Sequence, residues 1–488
     1  MFLRKKNKAE LVFYFFLKFM LNKIFGREGD VLPAHILKKV DKNIFDNFSE
    51  HIFSYDVPAI FVTGTNGKTT AANLISETLK FSGKRVCSNS NGANMANGIY
   101  GAILGSYKLS KLSGLKKLDF KFSADFIVME CDEKVFPFAS SKLKPDAVVV
   151  TNFYRDQLDR YGEVNSTVSE IKKSVQNLLS TTPDAVIALP SFEPLAAFIG
   201  YGVKNENKIY YGFNETFFNG TCGNNDKKNK EENLRLFAYT GLSDALTCPN
   251  CGGILSDANK GKENIFLFKF KCEKCGFANP EPDIAVLEKK QGGVSIKLLS
   301  GAGNPFFFKP ALSGDYNIAN YLAAYSVLKL FNIEDDIIKT SFENFKTKFG
   351  RSFKKTINNL EVNVDLVKNP AGFNRVLEKI DESRINVLFA FSDRDADGRD
   401  VSWIWDVEFE KYVRNFGKIV IAGTRPFDLA VRLKTAGVNG GDITVEHNLK
   451  KAVKKIFQIA ESENICNKKI YIMPTYTELL RLKSILIP

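Results

Sequence analysis

The segment Ala59-Ile-Phe-Val-Thr63, Gly64-Thr65-Asn66-Gly67-Lys68-Thr69-Thr70, followed by Ala71-Ala-Asn-Leu-Ile-Ser-Glu-Thr-Leu79, restricts what this chain can become more than any other. An apolar run predicts a buried strand, two glycines a tight turn, and the residues from Ala71 onward a helix. A strand that turns through glycines into a helix gathers backbone N–H groups at the helix N-terminus, where they can cradle phosphate. Lys68 would then neutralise the β- and γ-phosphates of a nucleotide, and the Thr69 hydroxyl would hold Mg²⁺. The spacing is tighter than the common G-x-x-x-x-G-K-[ST], because position 62 is Val.

The same grammar recurs in DFIVMECDE and PDAVVVTN, so the region from Ala59 to about Val150 reads as parallel strands with helices on both faces. Beyond Gly350 a second alternating series, with strands such as INVLFAF, GKIVIAG and KIYIMP, predicts another α/β domain. A chain of 488 residues exceeds one core, and 44% hydrophobic content is enough to fill several. The expected organisation is an N-terminal segment over 1–48, a nucleotide-binding domain over 49–348 and a C-terminal α/β, Rossmann-like domain over 349–488. From about Asn205 to Pro282 the texture turns polar around a cysteine cluster, which predicts an insertion of its own fold, placed at about 222–282.

That cluster is Cys248-Pro-Asn-Cys251 and Cys272-Glu-Lys-Cys275. Two C-x-x-C knuckles bring four thiolates around one tetrahedral ion, the geometry Zn²⁺ accepts, with no coordination position left for water. A structural zinc ribbon is therefore expected rather than a catalytic metal. Cys87, Cys131, Cys222 and Cys466 stand apart and read as buried small hydrophobes. So few cysteines in so long a chain suit a reducing cytoplasm.

Lys and Arg outnumber Asp and Glu 68 to 55, a formal charge of +13 that suits a polyanionic ligand: nucleotide, nucleic acid or anionic membrane surface. Leu11–Phe25 is apolar and aromatic but interrupted by Lys18 and Lys23, too short a run to cross a bilayer. It reads either as a helix lying at the inner face of a membrane or as one packed on its own protein.

The loop G-T-N-G-K-T-T resembles the ATP loop of the Mur ligases and folylpolyglutamate synthetases. Glu130 falls where Mur ligases place a carboxylate on Mg²⁺, with Asp132 and Glu133 as further acidic oxygens. Thr151-Asn152-Phe-Tyr-Arg-Asp156-Gln157-Leu-Asp159-Arg-Tyr-Gly162 resembles the family's T-N-x-x-x-D-H-L-D-x-x-G, with Gln157 in place of His. That replacement, the zinc knuckles, Lys368-Asn369-Pro370 and the strings D-G-R-D-V-S-W-I-W-D and G-T-R-P-F-D resemble one branch, the MurT-type subunits, from roughly Gly29 to the end.

The resemblance implies an ATP-dependent ligase with Gly64, Thr65, Asn66, Gly67, Lys68, Thr69 and Thr70 on ATP and Thr69 with Glu130 on Mg²⁺. Asn317 would approach the nucleotide as the family's H-N-x-x-N amide, with Asn320 one turn on, and Arg351 would be the G-R hinge contact. Its implied activity is amidation of the D-glutamate α-carboxylate of lipid II to D-isoglutamine through an acyl phosphate. Ammonia would come from a GatD-like glutaminase, because this chain has no G-x-C-x-G elbow of its own. An aspartate of the C-terminal domain would complete that partner's Cys–His pair: Asp400 first, with Asp397 and Asp406 as rivals. Both tryptophans of the chain, Trp403 and Trp405, lie beside these acids and are expected at an interface. Lys172 and Lys173 read as solvated charges.

Two rivals make different demands. An amino-acid-adding ligase shares the loop but not Gln157 or the knuckles. A basic zinc-ribbon ATPase would bind nucleic acid, and would leave the aspartate and tryptophan strings unexplained; no nucleic-acid partner is expected.

Overall fold

A computed structural model describes residues 5–25, 29–53, 55–89, 93–112, 118–154, 164–214, 247–257, 269–290, 293–298, 305–312, 314–346, 352–380, 384–394, 397–462 and 469–486. They fall into two compact units, the first built almost entirely from residues before 348 and the second from those after it.

The first unit opens with α1 (Lys5–Phe25), α2 (Val31–Val40) and α3 (Ile44–Phe53), which pack on one another and belong to the same compact unit as the strands that follow. Its remaining elements begin with β1 (Ala59–Thr63), α4 (Lys68–Phe81), β2 (Val86–Ser88), α5 (Ala96–Gly105), β3 (Tyr107–Leu112) and β4 (Leu118–Phe122). Next come β5 (Phe126–Glu130), α6 (Phe136–Leu143), β6 (Ala147–Val150), α7 (Val164–Thr181), β7 (Val186–Pro190), α8 (Pro194–Ile199) and β8 (Lys208–Phe213). The unit ends with β9 (Leu255–Asp257), β10 (Phe270–Cys272), β11 (Ile284–Lys290), β12 (Gly293–Leu298), β13 (Phe306–Phe308), α9 (Asp315–Leu330) and α10 (Asp335–Glu343).

Nine strands form one sheet in the order β13-β12-β11-β8-β7-β6-β1-β5-β2. The seven from β11 to β2 are parallel, and β12 and β13 finish the edge antiparallel. The apolar runs of β1, β5 and β6 are buried at every position, as strands covered on both faces must be. The core gathers Ile60 and Val62 of β1, Leu74 and Ile75 of α4, and Tyr321, Leu322 and Leu328 of α9. The polar texture that begins near Asn205 does not mark the edge of the insertion. Strand β8 lies inside the main sheet, paired with β7 and β11, so only residues after it leave the core.

Register sets the site. Val62 pairs with Glu130 and Thr63 with Val150, so the ends of β5 and β6 emerge on either side of the turn that follows β1. The crevice at the carboxyl ends of parallel strands is where open α/β sheets place their ligands.

The second unit carries β14 (Ser352–Ile357), β15 (Leu360–Asp365), α11 (Pro370–Leu377), β16 (Ile385–Phe391), β17 (Phe416–Gly423) and α12 (Pro426–Thr435). It continues through β18 (Ile443–Val445), α13 (Leu449–Ser462), β19 (Lys469–Pro474) and α14 (Tyr476–Leu486). Its six-stranded sheet runs β14-β15-β19-β16-β17-β18, parallel except for the edge pair β14 and β15. Separate apolar clusters cover its two faces.

Between β16 and β17, Ser402–Asp406 winds into a 3₁₀ turn held from below by Arg432 of α12. Its buried guanidinium donates to the Ile404 carbonyl at 3.2 Å and the Val407 carbonyl at 2.6 Å, and meets Glu410 at 2.7 and 2.9 Å. Arg432→Ala strands those two buried carbonyls, a cost of about 2 kcal/mol. Native-state hydrogen exchange should show the amides of 402–412 opening faster in that variant, with the nucleotide sheet unaffected.

Candidate functional site: a phosphate loop and a four-cysteine knuckle

The turn after β1 is shaped by two glycines in the left-handed region, Gly64 at φ +116° and Gly67 at +88°. A Cβ on Gly64 would run into the Thr151 hydroxyl and stand 2.8 Å from the Asn152 carbonyl, and one on Gly67 would collide with the Asn320 side-chain oxygen. Both close approaches and both backbone angles need glycine. Asn152 locks the turn: its carbonyl accepts from Thr65 N–H at 2.7 Å, its side-chain oxygen from Asn66 N–H at 2.9 Å, and its amide donates to the Asn66 carbonyl at 3.0 Å. These three bonds fix the shape of the loop where it leads into the N-terminus of α4.

Lys68, the first residue of α4, is buried with its ammonium on the Gly64 carbonyl, the Thr65 carbonyl at 3.2 Å and the Glu133 carboxylate at 3.0 Å. Burial lowers its pKa, but Glu133, Glu130 and Asp132 outweigh that and hold it above the usual lysine value. The Thr69 hydroxyl donates to Glu130 at 2.7 Å. Glu130, buried at the end of β5, is fixed from two asparagines. Asn89 bonds its backbone on both sides at 2.8 Å, and Asn94 donates to its free oxygen at 3.2 Å. A hydroxyl oxygen beside a carboxylate, both rigidly held and with Asp132 buried nearby, is a donor set that fits a hard cation such as Mg²⁺.

Asn317 and Asn320 are both buried in the first turns of α9, 3.4 Å apart, with Asn320 against Gly67. The phosphate loop, Glu130 and the asparagine pair thus meet in one crevice. Arg351, Asp156, Gln157 and Asp159 lie outside the described residues, as do Cys222 and Cys466. Asn89, Asn94 and the loop-locking role of Asn152 were not foreseen. Asn152 had a signal in the T-N that follows β6; the other two sit in an undistinguished polar run and owe their role to the pairing of β2 with β5.

Lys172 departs from the solvated reading. Its ammonium donates to the Phe198 and Tyr201 carbonyls at 2.6 and 2.7 Å, closing the C-terminal end of α8, and sits 3.7 Å over the Phe198 ring. Burial, then the charge of Lys208, lowers its pKa to about 8. Lys173, next to it, is exposed.

The sulfurs of Cys248, Cys251, Cys272 and Cys275 converge, every pair of them within 4.8 Å. The two knuckles repeat one geometry. Gly252 at φ +71° donates to the Cys248 carbonyl at 2.9 Å, and Gly276 at φ +74° donates to the Cys272 carbonyl at 2.8 Å. The pairing of β9 with β10 carries them, and Phe277 rests on Phe198 and Tyr201, which docks the module on α8. Four converging thiols, with no fifth ligating side chain in the group among the described residues, fit a closed structural metal site. Cys87 and Cys131 are buried, and burial pushes the Cys87 thiol up to about 12.

In the C-terminal unit the three acids separate. Asp397 is buried, with one oxygen accepting from Thr477 N–H of α14 at 2.9 Å. Asp400 is half-buried and closes a turn by accepting from Ser402 N–H at 2.8 Å, and Asp406 is exposed. The tryptophans separate too. Trp405 is half-exposed beside the Arg432 guanidinium, whereas Trp403 packs on Phe373 and Phe391 of the core, so only Trp405 matches the interface expectation.

The sequence matches the Mur ligase middle domain over residues 62–252 and the MurT ligase C-terminal domain over residues 366–479. It is 32% identical over 437 residues to the lipid II isoglutaminyl synthase (glutamine-hydrolyzing) subunit MurT of Staphylococcus aureus strain COL, covering 88% of each chain. To the subunit of the same name from Streptococcus pneumoniae R6 it is 29% identical over 474 residues, covering 96% of this chain and 94% of that one. Among solved structures it is similar in fold to a pseudomurein peptide ligase type C from Methanothermus fervidus, with TM-score 0.62 and 19% identity over 92% of this chain and 84% of that one. MurF from Acinetobacter baumannii gives TM-score 0.61 and 13% identity over 93% and 80%.

Two outcomes follow from the geometry. Gly67→Ala should reduce ATP affinity at least ~tenfold, read by calorimetry, because its methyl must displace Asn320 at a backbone angle costing ~1 kcal/mol or more. Metal analysis of reduced, chelator-free protein should find one zinc per chain, and Cys248→Ser should release it and expose 247–280 to protease, since structural zinc supplies folding energy.

Proposed function

The chain belongs to the Mur ligase family, among its MurT-type subunits, and from that premise we propose that it amidates the D-glutamate α-carboxylate of lipid II using ammonia from a GatD-like glutaminase. The observation that carries the reading is the union, in one chain, of a phosphate loop held by Asn152 with the aspartate-bearing turn of a MurT-type C-terminal domain.

The loop Gly64–Thr70 would bind ATP, with Lys68 exchanging its contact with Glu133 for the β- and γ-phosphates and Asn317 and Asn320 lining the same crevice. Thr69 and Glu130 would hold Mg²⁺, which when bound offsets charge on the transferring phosphoryl group. Asn89 and Asn94 keep the Glu130 carboxylate aimed, so little reorganisation is needed during transfer. The substrate carboxylate attacks the γ-phosphorus, ADP leaves, and an acyl phosphate forms. Ammonia then adds to the acyl carbon, phosphate departs, and a proton is lost to give the amide. Neither step needs a protein nucleophile, and the chain's part is positioning and electrostatics.

Ammonia reaches this chemistry from a partner, which suits relatives named as subunits. Of the three acids, Asp400 fits best as the one that orients the partner's catalytic imidazole. Asp397 is buried, with one oxygen on the α14 amide and the other without a hydrogen bond among the described residues, whereas Asp400 is half-buried with one oxygen closing its own turn, and its exposure leaves it within reach of a partner's ring. Trp405 beside it offers an exposed aromatic anchor.

Asp400→Asn should abolish glutamine-driven amidation while leaving amidation from ammonium chloride at high pH, and co-purification with the glutaminase, near wild type. Loss of both activities would place Asp400 in the ligase site instead, and loss of neither would make it a solvated loop acid.

A further inference from the structure

We propose that the outward face of α1 is a docking surface for an anionic phospholipid bilayer. This goes beyond the ligase reading, since it concerns where the chain sits rather than what it catalyses.

The helix has two unlike sides. Leu11 and Tyr14 are fully buried, and Asn7 and Glu10 nearly so. That side is pinned: the Tyr14 hydroxyl donates to Asp30 at 2.5 Å and to the Gly101 carbonyl at 3.0 Å, Lys8 pairs with Asp119 at 2.9 Å, and Phe15 stacks on Phe120. On the other side Val12, Phe16 and Phe19 follow one another at helical spacing, with Phe13 beside them, and Phe16 and Phe19 are 55% and 56% exposed. Three half-bare phenylalanines in a row on a water-soluble surface mark something that covers them.

Charge identifies what covers them. Lys5 precedes Val12 by seven residues and Lys23 follows Phe19 by four, so an exposed lysine brackets each end of the same stripe. The Lys23 ammonium lies 5.3 Å over the Phe19 ring. The only acid in α1 is Glu10, and it is buried on the far side. Aromatic side chains flanked by lysines, with no carboxylate among them, match an interfacial helix that sinks its rings to the acyl boundary while its ammonium groups meet lipid phosphates. A protein interface would tend to exclude lysine from such a stripe. The formal charge of +13 adds a long-range pull toward an anionic surface. No described helix is long and apolar enough to cross a membrane, so α1 would lie on the bilayer.

The test is sedimentation of the full chain with vesicles of phosphatidylglycerol and phosphatidylethanolamine, against vesicles of phosphatidylcholine alone. Wild type should pellet with the anionic vesicles and less so as salt rises. Phe16→Ser with Phe19→Ser should weaken that binding at least ~tenfold. Lys5→Gln with Lys23→Gln should weaken it on anionic vesicles only. Thermal unfolding should be unchanged in both, because the replaced side chains face solvent. The proposal is overturned if wild type stays in the supernatant or if the phenylalanine variant pellets as wild type does. It is equally overturned if the stripe covers a second copy, shown by a lipid-free dimer that the variant dissociates, or if the variant loses its glutaminase partner. ATP-dependent ligation of detergent-solubilised substrate should persist in every variant, which keeps a failure here distinct from a failure of the ligase reading.

Discussion

One buried ammonium organises the nucleotide crevice. Lys68 sits at the start of α4, out of water, and is tolerable there because Glu133 meets it directly while Glu130 and Asp132 add field from close by. A lone buried charge would be costly, and a paired one shapes everything around it. Among the described residues three carboxylates, Glu130, Asp132 and Glu133, surround this one lysine, a donor set that suits a cation. Under the proposed function, an arriving nucleotide would bring phosphates for the lysine, and its cation would suit the carboxylates thus released. The ion pair in the crevice and the function proposed for it use the same atoms.

The backbone frame that permits this comes from sheet order. Because β1 lies between β5 and β6, strands far apart in sequence deliver Glu130 and Asn152 to opposite sides of one turn. Nothing local to the turn could do so. Asn152 then holds the loop by three hydrogen bonds, which explains how a glycine-bearing segment keeps one shape.

Local signals were legible in the sequence where one short segment holds the whole pattern. The strand, glycine turn and helix of the phosphate loop are contiguous, and so is each cysteine knuckle. The apolar runs of the parallel strands are equally plain because burial on both faces leaves no polar alternation to misread. What escaped depends on pairing between distant strands or on side-chain reach. Asn89 reaches Glu130 only because β2 lies against β5, and Lys172 reaches two carbonyls at the end of α8 that sequence spacing does not connect to it. Trp403 and Trp405 are two residues apart, yet the 3₁₀ turn sends one into the core and the other outward. Strand β8 was hidden by the polar residues that precede it.

The cysteine module leaves the sheet after β8 and the chain returns at β11, and those two strands are neighbours: Tyr211 pairs with Ile284 and Phe213 with Val286. The two strands run parallel and overlap over only three residue pairs, so the exit past Phe213 and the return at Ile284 are fixed within about 10 Å of each other whatever lies between them. Closing a loop costs only logarithmically with its length, about 0.6 kcal/mol per doubling. At this one gap the chain could lengthen, shorten or exchange a whole module over evolutionary time without disturbing a single strand of the nucleotide sheet.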